Sequence, residues 1–218
     1  MSAGRKIRVL LADDHTLVRQ GLRALLEREA DIKIIGEARN GREAVHRAVA
    51  LKPDIVVMDI SMPHLNGLEA TQRIAATCPG TRVVALSMHK QEHHVQALLR
   101  AGARGYVPKD APASELLAAV RAVHGGGCYL HPQISSKVVD GYLDGNRPAA
   151  PRELLTSRER EVLQLVAEGK TNRLIAAELR LSVKTIEAHR ARIMTKLKIH
   201  NAAGLTRYAM SRGIIGSD

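Results

Sequence analysis

Aromatic residues are nearly missing from this chain: its 218 residues include no tryptophan, no phenylalanine and only four tyrosines. The hydrophobic cores must therefore be built from aliphatic side chains. Proteins that bind single-stranded nucleic acid commonly stack bases on aromatic rings, so this scarcity argues against that class of function.

Cysteine and long apolar runs are also scarce. Cys78 and Cys128 stand 50 residues apart, without the paired spacing typical of a zinc site or a disulfide framework. The first apolar run, IRVLLA, is too short for a signal sequence or a membrane span, and no later run approaches twenty residues. These features predict a cytoplasmic protein without a membrane partner.

Acidic residues are outnumbered: 33 lysines and arginines face 22 aspartates and glutamates, which gives a formal net charge of +11. Residues 1–125 carry 18 basic and 13 acidic residues, whereas residues 151–218 carry 13 and 7. The shorter segment is therefore about twice as basic per residue, which favours a polyanionic partner such as nucleic acid.

Short apolar runs alternate with helical patterns from Ile7 to about Gly125. The runs IRVLLA, IKIIGEA, DIVVMD, TRVVALS and GYVPK are each followed by an amphipathic stretch. Continuous apolar strands of this kind predict an α/β fold with helices on both faces of the sheet. We expect a doubly wound, five-stranded parallel sheet in residues 1–125.

The rest of the chain has a different composition. Residues 126–152 are rich in glycine and proline and contain one short apolar helix candidate, ISSKVVDGYL, so they predict a linker. Every segment of residues 153–218 has a helical pattern, and Thr156 with Glu159 forms a capping-box signature. This predicts a small, all-α second domain.

Acidic and other polar residues follow the predicted strands. Asp13 and Asp14 follow the first strand, and Asp59 ends the third; Ser87 ends the fourth and Lys109 the fifth. In a doubly wound sheet, ligands bind beyond the carboxyl ends of the strands. Carboxylates held together favour a hard cation such as Mg²⁺, and one of them beside a lysine can act as a nucleophile toward a phosphoryl group.

With these residues, residues 5–125 resemble a CheY-like receiver domain of a two-component response regulator. The resemblance implies a flavodoxin-like strand order of 2-1-3-4-5 and identifies Asp59 as the phosphoacceptor. It implies that Mg²⁺ is bound by Asp13, Asp14, Asp59 and the backbone carbonyl of Ser61. It also implies that Ser87, Tyr106 and Lys109 bind the phosphoryl group or respond to it.

Some of these residues have plainer interpretations. Tyr106 is the only aromatic residue in the first 125, so core filling is an alternative to a switch. We interpret four histidines as surface residues: His15, His89, His93 and His94. Pro108 precedes the lysine and removes a backbone donor, which an edge strand would tolerate.

The segment SVKTIEAHRARIMTKLKI has two distinct helical faces. A step of 100° per residue puts Ile186, Ile193 and Leu197 on one side. The opposite face and its flank carry small and charged side chains: Lys184, Thr185, Glu187, Ala188, Ala191, Arg192, Thr195 and Lys196. Small residues would let the backbone approach a major groove while the cations reach phosphates.

Residues 154–215, with LTSREREVL, EGKTN, IAAEL and SVKTIEAHRARIMTKL, are similar to the LuxR-type helix-turn-helix. The resemblance implies a recognition helix at about Ser182 to Leu197 and phosphate contacts near Lys170, Thr171 and Asn172. Its last helix typically dimerises, which implicates Leu205, Tyr208 and Ala209.

Both resemblances together indicate the NarL/FixJ class of response regulators. They imply a non-enzymatic transcription regulator that only transfers a phosphoryl group to itself and slowly loses it. The implied partners are a sensor histidine kinase, double-stranded DNA, a second copy of the chain and, as a further candidate, RNA polymerase. Two rival functions are a phosphatase of the dehalogenase-like class, whose general acid would be replaced by Ser61, and a receiver that works without phosphate.

Overall fold

The computed structural model describes residues 5–88, 92–135 and 154–215. The chain divides into two compact units, residues 1–143 and 144–218. Among the described residues, no helix has the length and hydropathy that a membrane crossing requires.

The first unit alternates strands and helices, as the sequence predicts. Its strands are β1 (Ile7–Ala12), β2 (Ile32–Ala38), β3 (Ile55–Asp59), β4 (Arg82–Ser87), β5 (Gly105–Pro108) and β6 (Tyr129–Leu130). Its helices are α1 (Thr16–Glu27), α2 (Gly41–Leu51), α3 (Gly67–Thr77), α4 (Glu92–Arg100) and α5 (Ala113–His124).

All six strands are parallel, and their order is β2-β1-β3-β4-β5-β6. The predicted order of the first five strands is confirmed, whereas the predicted number of strands is one too low. The additional strand β6 pairs only with Gly105 and Tyr106 of β5. A strand of two residues leaves no periodic pattern in a sequence, and this one lies inside the predicted linker.

Pro108 does not lie on an edge strand, contrary to expectation, because β6 lies beside β5. The pairing with β6 ends at Tyr106, so Pro108 lies beyond it. The lack of a backbone N–H at Pro108 therefore removes no hydrogen bond between β5 and β6.

The sheet is covered on both faces, because alternate residues of each strand face opposite cores. On one face Val9, Leu11 and Val57 pack with residues of α1 and α5 such as Leu26 and Val120. On the other face Leu10, Val56 and Met58 pack with residues of α2 and α3, among them Ala44 and Ile74. Burial on both sides explains why the strands read as continuous apolar runs.

In its described residues, the second unit contains helices joined by short turns and no strand. Its helices are α6 (Ser157–Ala167), α7 (Asn172–Leu179), α8 (Val183–Leu197) and α9 (Ala202–Ser211). The predicted capping box of Thr156 and Glu159 begins α6. Ile186 and Ile193 are fully buried and Leu197 packs against them, which confirms the predicted inner face of α8.

The predicted linker is described only in part. Residues 132–135 are helical and include the first two residues of the ISSKVVDGYL candidate, Ile134 and Ser135; the remainder lies outside the described residues. The boundaries at residues 125 and 152 therefore stay a prediction.

Candidate functional site

Three acidic side chains meet at the carboxyl edge of the sheet. Asp13 and Asp14 directly follow β1, and Asp59 ends the adjacent β3, whose Met58 pairs with Ala12. Single ligand atoms of these acids and of His15 all lie within 4.8 Å of one another. The predicted convergence of the three carboxylates is confirmed.

Lys109 completes the cluster from the end of β5. Its Nζ lies 2.7 Å from Asp59 Oδ2 and 2.9 Å from Asp13 Oδ2. The Lys109 backbone N–H donates to the Ser87 carbonyl oxygen at 3.0 Å, which holds the lysine against the end of β4. One ammonium thus bridges the two buried carboxylates.

The Asp59 carboxyl group has a raised pKa. Burial raises its pKa from 3.8 to about 6, against the lowering effect of Lys109 and with a smaller raising effect of Asp13. For Lys109, burial lowers the pKa, but attraction by Asp59 and Asp13 outweighs it, so the net shift is upward. The lysine therefore stays charged beside an acid that is close to its titration range at neutral pH.

The residues present fit a divalent cation with oxygen ligands. Asp14 Oδ1 is buried and accepts no well-aligned hydrogen bond, although His15 Nδ1 lies 3.1 Å from it. A buried carboxylate oxygen without a well-aligned donor is costly, and a cation at this place would offset the cost. Mg²⁺ is suited to such a site because it needs only one or two carboxylates and keeps several waters.

The loop after β3 is packed tightly against the strand. The Ser61 N–H donates to Asp59 Oδ1 at 3.3 Å, and the Gly67 N–H donates to the Ile60 carbonyl oxygen at 2.9 Å. A Cβ atom at Gly67 would lie 2.0 Å from the Asp59 carbonyl oxygen. Only glycine therefore allows this return of the chain, which fixes the backbone of Asp59.

Tyr106 is completely buried in a cluster with Ala85, Val95 and Leu98. Burial raises the pKa of its hydroxyl, which the hydrogen bond to Ser87 lowers. The tyrosine therefore fills the core, as the plainer interpretation predicts, and also contacts Ser87.

His15 and Arg19 lie at the site although the sequence pointed to neither. The side chain of His15 is 60% exposed, as predicted for a surface histidine, and its Nδ1 lies 3.1 Å from Asp14 Oδ1. Arg19 is nearly buried; its Nη1 donates to the Asp13 carbonyl oxygen and its Nε to Glu37 Oε2, both at 2.8 Å. Arg19 lies on the same helical face as Leu22 and Leu26. A charged residue on that otherwise apolar face is the sequence feature that indicates a buried role for Arg19.

The outer face of α8 is exposed as predicted. Lys184, Glu187, Ala188, Ala191 and Arg192 are all exposed, whereas Thr185 is half-buried. Thr185 lies close to the helix start, where its N–H donates to Ser182 Oγ at 3.0 Å. A solvent-facing surface with small residues between two cations can approach a duplex groove.

Both parts of the chain match known families. Residues 9–121 match the response regulator receiver domain, and residues 153–209 match the bacterial regulatory proteins of the luxR family. The chain is a response regulator. A receiver domain followed by a LuxR-type DNA-binding domain makes it a transcription regulator and not an enzyme in the usual sense.

Relatives of the response regulator match it along nearly its whole length. The oxygen regulatory protein NreC of Staphylococcus carnosus is 36% identical over 215 residues, which cover 96% of this chain and 99% of that protein. The transcriptional regulatory protein LiaR of Bacillus subtilis is 39% identical over 203 residues, 93% of this chain and 96% of that protein. A solved complex of the two-component response regulator RcsB with DNA is 26% identical, with a TM-score of 0.60, and covers 95% of this chain and 99% of that one.

Three of the response regulator's predicted DNA-contacting residues bond within their own domain. Lys170 Nζ lies 2.6 Å from Glu178 Oε2, and Lys196 Nζ lies 2.6 Å from Glu159 Oε2. Asn172 Oδ1 accepts a hydrogen bond from Arg190 at 2.7 Å. These side chains hold the helices of the response regulator together, which their sequence positions did not indicate.

The predicted dimer residues need a correction. Leu205 and Ala209 are fully buried in the core of the response regulator's second unit, so neither side chain is available to another chain in this structure. Tyr208 is half-buried, with the Arg212 guanidinium 5.5 Å from its ring centroid. On the exposed face of α9 lies Met210, which is 40% exposed.

Proposed function

We propose that this response regulator accepts a phosphoryl group from a sensor histidine kinase on Asp59 and then binds promoter DNA through α8. The observation that carries the proposal is the contact of one lysine ammonium with both buried carboxylates, Lys109 with Asp59 and Asp13. Such a cluster suits the binding of a group with several negative oxygens.

Asp59 is the nucleophile in this proposal. Its carboxylate forms the new bond to phosphorus as the bond to the kinase histidine breaks, and Lys109 neutralises the phosphoryl oxygens during the transfer. Lys109 lies 2.7 Å from the carboxylate and therefore needs little movement to reach a group attached there. Self-phosphorylation by small phosphodonors and slow loss of the group belong to the same proposal.

Asp13, Asp14, Asp59 and the Ser61 carbonyl would hold Mg²⁺. When bound, the ion supplies positive charge to the phosphoryl oxygens. The buried Asp14 Oδ1, which accepts no well-aligned hydrogen bond, supports this assignment. Arg19 binds the carbonyl oxygen of Asp13 and so keeps that carboxylate at the site.

Ser87 and Tyr106 would report phosphorylation to the rest of the domain. A phosphoryl group that bonds to Ser87 competes with its hydrogen bond to the buried Tyr106. A two-state shift from 1:99 to 99:1 needs about 5.5 kcal/mol of differential stabilisation. New bonds from Lys109, Ser87 and the cation to one phosphoryl group are of this order.

DNA binding is assigned to α8 and to the start of α7. Lys184 and Arg192 would contact phosphates, and Glu187, Ala188 and Ala191 would face base edges, since all five are exposed on one helix. The helix N-terminus at Thr171 offers backbone N–H groups to a phosphate, with Lys170 and Asn172 beside it. Thr185 and Lys196 lie at the flank of the same surface.

We further propose that the active form is a homodimer that acts in the cytoplasm. In the second unit, the exposed face of α9 around Met210, with Tyr208 at its border, replaces the buried Leu205 and Ala209 as the proposed contact. RNA polymerase is a further proposed partner. The proposed domains are residues 1–125, a linker at residues 126–152 and residues 153–218.

The phosphoacceptor is tested by labelling with acetyl phosphate in the presence of Mg²⁺. Asp59→Asn should abolish incorporation, whereas Asp31→Asn should leave it unchanged. Asp31 is an exposed carboxylate at the opposite edge of the sheet, where its carbonyl accepts from Ile7. Equal labelling of Asp59→Asn and the parent protein would reject the proposed site.

The DNA function is tested by selecting duplexes from a random pool with and without the phosphate mimic beryllofluoride. We expect one recurring motif whose recovery increases with the mimic. Glu187→Ala should change the preferred base at one position of each half-site, because a glutamate accepts from cytosine N4. An unchanged base preference would reject that contact without affecting the phosphoacceptor.

A further inference from the structure

His15 faces the acidic cluster although it belongs to the first residues of a helix. It occupies the N-cap position of α1, but its side chain makes no capping hydrogen bond. Its backbone N–H donates to Asp13 Oδ1 at 2.8 Å, and this turn directs the imidazole toward the carboxylates. The side chain thus lies at the cation site without a role in helix capping.

The distances match those between neighbouring ligands of one metal ion. His15 Nδ1 lies 3.1 Å from Asp14 Oδ1 and 3.4 Å from Asp13 Oδ1. An ion with metal–ligand bonds of about 2.1 Å keeps adjacent octahedral ligands about 3.0 Å apart. The nitrogen thus lies at such a distance from both oxygens, and ligand atoms of all three residues lie within 4.8 Å of one another.

The lysine and the imidazole lie beside different carboxylate oxygens. Lys109 contacts the Oδ2 atoms of Asp13 and Asp59, whereas His15 lies beside the Oδ1 atoms of Asp13 and Asp14. Asp13 thus has its ammonium partner on one oxygen and the imidazole on the other. A cation on the imidazole side would also contact Asp14 Oδ1, which accepts no well-aligned hydrogen bond.

We propose that His15 is a nitrogen ligand of this site, so that the receiver binds a first-row transition-metal ion such as Mn²⁺ more tightly than Mg²⁺. The inference rests on the cation site of the proposed function and adds a ligand to it. Mg²⁺ gains little from an imidazole because it favours oxygen ligands and retains its waters. First-row divalent ions gain more from an imidazole ligand than Mg²⁺ does, and their affinity for a mixed site of nitrogen and carboxylate rises from Mn²⁺, the weakest binder, toward Cu²⁺.

The test uses the full-length protein with Mn²⁺ alone as the probe. Pulsed electron paramagnetic resonance of bound Mn²⁺ detects a directly coordinated ¹⁴N nucleus, and titrations give the affinities for Mn²⁺ and Mg²⁺. We expect the ¹⁴N signal in the parent protein and its loss in His15→Ala. The variant's Mn²⁺ affinity should fall by about tenfold or more, while its Mg²⁺ affinity changes by less than about twofold.

The matched control is His46→Ala, which removes an exposed histidine from α2 and should keep both the signal and the affinity. A parent protein that binds Mn²⁺ without a ¹⁴N signal would overturn the proposal, and so would a signal that persists in His15→Ala. Asp14→Asn separates this inference from the cation site itself. If Asp14→Asn loses Mg²⁺ binding while the parent shows no nitrogen ligand, the cation site is supported and only the His15 ligand is rejected. If the parent binds neither Mn²⁺ nor Mg²⁺, the cation site and the His15 ligand are both rejected.

Discussion

Lys196 Nζ donates to Glu159 Oε2 at 2.6 Å and so ties the proposed recognition helix to the first turn of α6. The same carboxylate accepts from the Thr156 backbone N–H at 2.8 Å. Burial raises the pKa of Glu159, but the bonds from Lys196 and Thr156 outweigh it, so its pKa lies below the usual value. Lys196 therefore stabilises the orientation of α8 from within the domain.

Lys196→Met should destabilise the second unit. The change leaves the buried Glu159 with its Thr156 bonds only, and we expect a loss of about 1–2 kcal/mol at pH 7, discounted for the partial exposure of the lysine. A depressed pKa means that the stabilisation exists above the ordinary pKa of a glutamate and is lost as the pH falls through the lower folded value. Hydrogen exchange of the α6 amides at neutral and acidic pH measures both effects.

Lys184→Met is the matched control, because Lys184 is exposed on the same helix. It should change stability by less than about 0.5 kcal/mol. It should weaken binding to all duplexes alike. It should also reduce the slope of log affinity against log salt concentration by about one. If Lys196→Met instead left stability unchanged and weakened DNA binding in the same way, the structural role of Lys196 would be wrong.

Asp59→Asn should stabilise the metal-free protein at neutral pH. The folded pKa of about 6 exceeds the ordinary 3.8, so the folded form binds this proton more tightly than the unfolded chain does. The stabilisation from the proton is present below the ordinary pKa and is lost as the pH rises through 6. At about 1.4 kcal/mol per pKa unit, the variant should exceed the parent by about 1–3 kcal/mol at pH 7.5.

Urea unfolding in the presence of a chelator tests this prediction, and the advantage should shrink between pH 7 and pH 4. Asp31→Asn serves as a control of opposite sign. Its hydrogen bond to Arg121 outweighs burial and lowers the pKa of Asp31, so this variant should be less stable than the parent at pH 7.5, and the difference should vanish at acidic pH. An advantage of Asp59→Asn that is constant across the pH range would contradict the proposed cause.

Much of the receiver fold was predictable from the sequence because its signals are local and repeated. Strands β1, β3 and β4 are short, largely apolar runs such as IVVMD, and each is followed by an amphipathic helix. The site was predictable for the same reason: in parallel strands, the residues at the carboxyl ends lie at one edge. Asp59 and Lys109 are 50 positions apart in the chain, and topology alone brings them together.

Other features depend on side-chain contacts that no periodicity records. A lysine on a basic helix is predicted to bind a phosphate. The actual partner of Lys196 is Glu159, which only the packing of α6 against α8 reveals. Leu205 and Ala209 fit either a dimer face or a core, and the packing of α9 on α6 decides for the core. His15 is a surface residue, as predicted, and only the turn at Asp13 shows that its imidazole also lies beside the carboxylates.

Arg19→Met should impair the cation site more than it impairs the fold. The change removes the donor to the buried Asp13 carbonyl oxygen and one of two arginine partners of Glu37. We expect a stability loss of about 1–3 kcal/mol and weaker Mg²⁺ binding, because Asp13 is no longer fixed. Calorimetric titration with Mg²⁺ well below the unfolding temperature separates the two effects.

Arg23→Met is the control for Arg19, since Arg23 also pairs with Glu37 but lies half-exposed and has no bond to Asp13 among the described contacts. It should leave Mg²⁺ affinity unchanged. Equal loss of Mg²⁺ affinity in both variants would show that Glu37, and not the bond to the Asp13 carbonyl, governs the site.

Gly67→Ala should disrupt the receiver, whereas Gly21→Ala should stabilise it. A Cβ atom at Gly67 would lie 2.0 Å from the Asp59 carbonyl oxygen, a backbone atom that cannot move aside without displacing the proposed phosphoacceptor. We expect a loss of at least about 2–3 kcal/mol and slower labelling by acetyl phosphate. Gly21 lies within α1 with no atom within 4 Å of its added Cβ, so alanine there should add up to about 1 kcal/mol. Thermal unfolding compares the two variants, and a neutral effect of Gly67→Ala would mean that the loop after β3 does not need its close approach to the strand.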